Sequence, residues 1–357
     1  MGSASVEKWA VSRLATLKRL EDNGLADVLA ASRDLWDRGL KPAAIRIRRA
    51  YYRHDDPMSV KDERRGLPHD LQPPAARLIT PKGVALKLHL MMIFATQCQV
   101  APMGKYRPIP LDGDGGLSWR RLVTAPSTSG TGARSNTADA NKRRQLTRAL
   151  DALAPDAPGE KRLVDLPGQA KSASRYENIQ LLKEDGSSNA AETVHHRVPG
   201  AKRDYIEVPV AFFTQGWVQV LTSTEIVAYL MWLDVSAFPL HDEPYYSGVE
   251  RAGHFGLNRD AYETHNPLGA FHLVNVERPE GRHDDGKYEG YGSGASAESG
   301  RPPCHRITPN IAGLDRAALP VVRKAVTLYR SIGSWDPLLQ DLLAQSQTKL
   351  ISEGTRK

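Results

Sequence analysis

Two short runs in this sequence carry side chains suited to recognition rather than to bond-making. Asn141-Lys142-Arg143-Arg144-Gln145 is followed by Arg148, and Asn258-Arg259 stands just after Phe255-Gly256-Leu257. Lys and Arg neutralise phosphate oxygens, and Arg adds a planar fork of donors. Asn and Gln set a donor beside an acceptor, which matches the edge of adenine; the Arg fork matches guanine. Such groups work only on helices presented at a surface. A helical charge run is commonly just a solvated face, and Asn258 also suits an ordinary N-cap. Arg134, Arg162, Lys171 and Arg175 around the first run tilt the reading toward an anionic partner. Arg278, Arg282 and Arg306 are the matching cations of the second.

Bond-breaking constellations are weaker. His195-His196 lies in a polar stretch without the flanking strand residues of a paired-histidine metal site. His54-Asp55-Asp56 and His283-Asp284-Asp285 could hold a hard cation, but each sits in a Pro- or Gly-rich loop where exposed acidic turns are commoner. There is no Gly-rich phosphate loop, cysteine-pair zinc site or nucleophile elbow. Cys98 and Cys304 are far apart and form no disulfide framework. Neither catalysis nor a cofactor is expected.

The chain has 357 residues, 48 Lys and Arg against 41 Asp and Glu, and a net charge of +7. That length suits two domains with tails. No apolar run approaches the roughly 18–20 residues of a membrane span. The longest candidate, Val84 to Phe94, is interrupted by Lys87 and His89. The first residues lack an apolar core behind a basic start. A cytoplasmic, nucleoid-associated protein with no membrane partner is the expectation.

The elements that must position the two runs can be read from periodicity. Val6, Trp9, Leu14, Leu17, Leu20, Leu25, Val28, Leu29 and Trp36 predict helix over 6–38 with a break near Asn23-Gly24. Residues 41–75 read as a basic helix or strand and then a Pro-rich linker. A helix over 81–98 places Val84, Leu88, Met91, Met92 and Ala95 on one face. Ser118 is a candidate cap for a short helix, and Thr137 to Leu153 is a polar helix. Two strands are expected in 162–167 and 176–182, and 186–204 reads as a polar linker. Thr222 with Glu225 marks a helix start, and another helix is expected over 317–330.

Both halves therefore follow one order: long apolar helix, short helix, polar helix, strand, loop, strand. The expected fold is α+β and mainly helical. Its parts are a helical segment over 1–40, a linker over 41–75, a first domain over 76–185, a linker over 186–204, a second domain over 205–332 and a tail over 333–357. From 76 to 175 there are sixteen Lys and Arg against seven Asp and Glu, a net of +9. From 205 to 332 there are eleven against fifteen, a net of −4.

The second half resembles the winged helix-turn-helix families. Leu221-Thr222-Ser223-Thr224-Glu225-Ile226 resembles their first helix, and Phe255-Gly256-Leu257-Asn258-Arg259-Asp260 the turn into a recognition helix. Leu268 with Phe271-His272-Leu273-Val274 resembles the exit into the wing; Pro267 must end or kink that helix. A tandem of two such domains is similar to the plasmid replication initiators. The resemblance implies two winged-helix-like domains and sequence-specific binding of double-stranded DNA by a bacterial regulator or initiator. The contact residues would be Arg134, Asn141, Lys142, Arg143, Arg144, Gln145, Arg148, Arg162, Lys171, Arg175, Asn258, Arg259, Arg278 and Arg282. Pairing of two protomers through the second domain stays open. The alternatives are a winged-helix module that binds protein, favoured by the acidic second half, and a metal-dependent nuclease.

Overall fold

The computed structural model describes residues 3–62, 64–79, 84–99, 107–113, 116–127, 137–156, 160–168, 172–239, 247–277 and 305–335. Arg134, Lys171, Arg278 and Arg282 lie outside them, as do His283-Asp284-Asp285 and Cys304.

Two helices open the chain, α1 (Ser3–Asp22) and α2 (Leu25–Arg38). They part at the expected place, because Gly24 takes a left-handed φ of 79°. Next come β1 (Ala44–Arg48), α3 (Arg49–Tyr52), α4 (Pro74–Arg77), α5 (Ala85–Gln99), α6 (Trp119–Leu122) and α7 (Ala138–Leu153). The strands β2 (Val164–Asp165) and β3 (Gln180–Leu181) close this half. The second half holds β4 (Tyr205–Pro209), α8 (Ala211–Thr214), α9 (Trp217–Val220), α10 (Ser223–Ala237) and α11 (Gly248–Phe255). It ends with α12 (Arg259–Tyr262), α13 (His265–Ala270), β5 (Val274–Glu277), β6 (Arg306–Pro309) and α14 (Ala318–Ile332). The fold is α+β and mainly helical, with small antiparallel sheets. The first half runs α5, α6, α7, β2, β3 and the second α10, α11, α12, α13, β5, β6, so the second has one helix more, and that helix, α13, is largely buried.

Several local expectations change in detail. From Ala85 to Cys98 every residue of α5 except Lys87 is buried, so the helix threads the core rather than offering it one face. α10 is likewise buried from Glu225 to Val235, and its start is the expected capping box: Thr222 accepts from the Glu225 amide while Glu225 accepts from the Thr222 amide. Ser118 stands at the N-cap of α6, but its side chain makes no capping bond. The two strands of the first half shrink to two residues each, and a 3-10 turn (Ala173–Tyr176) occupies the start of the second.

The buried apolar side chains form one continuous cluster from Ala10 to Val326. Phe94 of α5 stacks on Phe213 of α8 with ring centroids 4.9 Å apart. β1, from the basic stretch after Gly39, pairs antiparallel with β4, with Ile47 opposite Ile206. Residues 186–204 are tied to the fold by bridges between Arg162 and Ser188 and between Leu182 and His195.

Candidate nucleic-acid interface

Helix α7 is set by its own sequence. Thr137 accepts a hydrogen bond from the Ala140 amide at 3.1 Å and starts the helix. Leu146, Ala149, Leu150 and Leu153 are buried at the i, i+3, i+4, i+7 spacing of a single stripe. At roughly 100° per residue, Asn141, Arg144, Gln145 and Arg148 fall on the far side. Arg144 and Arg148 are exposed there, Asn141 and Gln145 half-buried. Arg144 Nη2 donates to Asn141 Oδ1 at 2.6 Å, which orients both along the stripe. No carboxylate among the described residues pairs with Arg144 or Arg148.

The other members of the run point elsewhere. Arg143 donates to Asp112 Oδ2 at 2.7 Å, and Arg120 donates to Asp112 Oδ1 at 2.7 Å and pairs with Asp139. Partial burial pushes the Asp112 carboxyl upward, but the bonds from Arg120 and Arg143 outweigh it and hold the group below its usual range. Lys142 flanks the buried stripe and is half-buried. It lines a groove of about 1470 Å³ with Asp27, Leu35, Arg38, Arg107 and Arg121. Burial, and then the Arg120 charge, lowers the affinity of Lys142 for its proton.

Arg162 and Arg175 stand at the far end of α7. Arg162 donates to Asp156 at 2.8 Å and to the Pro155 carbonyl, while Arg175 reaches Asp156 at 3.4 Å and Asp151 at 3.7 Å. Both side chains are mostly buried and work as braces between the helix end and the following strands.

In the second half the expected recognition helix is two pieces. It stops at Tyr262 and resumes at His265, so the break precedes Pro267. Pro267 occupies the first turn of α13, where a missing N–H is harmless. Asn258 caps α12, accepting from the Ala261 amide at 3.0 Å. Arg259 is exposed beside the exposed Asp260 and Glu263.

The structure brings forward cations that composition alone did not single out. Arg197, Lys202 and Arg203 are exposed on the stretch read as a polar linker, close to Arg46, Arg48 and Arg49. Their signal in the sequence was three cations within seven residues, facing the basic run 46–49.

No protein-family model matches the chain, and neither a curated protein nor a solved structure matches it significantly. Among the described residues no group of three or more His, Cys, Asp or Glu is placed to hold a metal ion, and Asp55 and Asp56 are exposed. No helix there is long and apolar enough to cross a membrane.

Proposed function

We propose that the protein binds double-stranded DNA sequence-selectively and non-catalytically, reading one major groove with the outer stripe of α7. The observation that carries this is the placement of Asn141, Arg144, Gln145 and Arg148 on one solvent-facing side of a helix anchored by Leu146, Ala149, Leu150 and Leu153. Seven residues of helix rise about 10 Å, which suits a major groove about 12 Å wide. The stripe has two cations for phosphates and, in Gln145, an amide for a base edge, while Asn141 holds Arg144 in place. The order α5, α6, α7, β2, β3 supports a winged-helix arrangement with α7 as its recognition helix, and a bacterial regulator or plasmid-type replication initiator is the biological setting it fits. Selection of bound duplexes from random DNA at two salt concentrations tests this reading, which expects one enriched motif whose retention falls as salt rises.

One observation favours a different role for the second unit. Asn258 spends its side-chain oxygen on a helix cap, and α12 is a single turn carrying Asp260 and Glu263 beside Arg259. That surface suits a protein contact better than phosphates. A selection that enriches no sequence would move the whole chain to this reading.

A further inference from the structure

We infer that the loop 197–203 is a second docking surface for the DNA backbone, contacting phosphates without reading sequence; the inference rests on the DNA-binding reading above. β1 exposes alternate residues, so Arg46 and Arg48 share one face, and Arg49 follows at the start of α3. Each has its own carboxylate: Glu207 at 3.4 Å, Glu184 at 3.5 Å and Asp234 at 2.7 Å. Each also donates to a main-chain carbonyl of the loop. Arg46 reaches Pro199 at 3.2 Å, Arg48 reaches Arg197 at 3.0 Å and Arg49 reaches Arg203 at 3.2 Å. At the root of the loop, His196 Nδ1 is hydrogen-bonded at 2.8 Å to the buried Glu184.

The consequence is a loop with a fixed backbone and uncommitted side chains. Arg197, Lys202 and Arg203 are exposed, and no carboxylate among the described residues pairs with them. Asp204 is the one acidic residue in the run 197–204. Three cations on a braced loop match the spaced, like-charged phosphates of a duplex, because the ordering entropy of the loop is met before binding. No amide or hydroxyl side chain lies between Arg197 and Arg203, so the surface offers charge without donor–acceptor readers.

The experiment is a titration of a fluorescent duplex, carrying the selected motif or a scrambled one, across a series of NaCl concentrations. The wild type is compared with R197Q/K202Q/R203Q and with R144A/R148A. The expected result for the loop variant is an equal loss of affinity on both duplexes. Its plot of log K against log salt should be shallower by about 2–3, from three lost phosphate contacts. A slope and affinity matching wild type overturn the loop assignment, while loss in R144A/R148A alone leaves the α7 reading standing. A shallower slope in the loop variant with no change in R144A/R148A upholds the loop and removes α7. Absence of salt-sensitive binding by the wild type overturns both. Circular dichroism checks folding, and K202E alone repeats the test if the triple variant misfolds.

Discussion

Arg162 Nη2 lies 2.8 Å from Asp156 Oδ1, and that carboxylate also receives Arg175. Two cations that the winged-helix resemblance would place at DNA are thereby engaged by the protein's own carboxylates, closing the end of α7. Asp156 is largely exposed, so the pair contributes little. R162A should cost about 0.5–1 kcal/mol in urea denaturation and leave the salt dependence of DNA binding unchanged. A slope shallower by about 1 would return Arg162 to the contact surface.

The buried carboxylate of Asp234 is a larger matter. It accepts from Arg49 Nε at 2.7 Å, Tyr52 Oη at 2.9 Å and Arg53 Nη1 at 2.8 Å, joining α3 to α10. D234A leaves two guanidinium groups and a phenol facing an apolar gap, and should cost about 3–5 kcal/mol. Equilibrium denaturation measures it; a cost under about 1 kcal/mol would show that water replaces the carboxylate.

His89 sits in α5 with no exposed surface, Nδ1 2.9 Å from the Tyr51 hydroxyl. Burial lowers its pKa to about 3, outweighing the opposing pull of Glu184. An unfolded histidine titrates near 6.5, so between these values the unfolded chain holds a proton that the folded chain refuses. Stability from this group is therefore full above about pH 6.5 and falls as pH drops toward 3. H89Q should flatten that part of the stability–pH curve, at some cost at pH 7. An unchanged slope between pH 6.5 and 4 would contradict the assignment.

Gly39 ends α2 where it meets α5. A Cβ there would lie 2.3 Å from the Cys98 carbonyl oxygen, which also accepts from the Leu40 amide at 2.8 Å. G39A must push the two helices apart, at about 1–3 kcal/mol. Thermal unfolding reads this as a lowered midpoint, and an unshifted midpoint would mean the contact relaxes freely.

What was legible in the sequence is what neighbouring residues decide. The Asn23-Gly24 break, the Thr222–Glu225 box and the two faces of α7 all depend on spacings of four residues or fewer, or on one helical period. The pairing of β1 with β4 joins residues some 160 positions apart, and no local pattern announces it. The ion pairs of Arg143, Arg162 and Arg175 depend on where Asp112, Asp151 and Asp156 arrive in three dimensions. The stretch 186–204 reads as a linker because most of its anchors, the arginines of β1 and α3, lie about 150 positions away in the chain. The sequence expects Pro267 to end or kink the recognition helix; instead α12 already ends at Tyr262, and Pro267 fits the first turn of α13.

On the proposed reading, α7 meets DNA with its outer stripe and not with the whole run 141–148. The direct measurement compares R144A/R148A with R143A in duplex titrations at several salt concentrations. R144A/R148A is expected to flatten log K against log salt by about 2 and to weaken binding to the selected and the scrambled duplex alike. R143A, whose guanidinium is engaged by Asp112, should stay close to wild type. Equal losses in both variants, or wild-type behaviour in R144A/R148A, would contradict it.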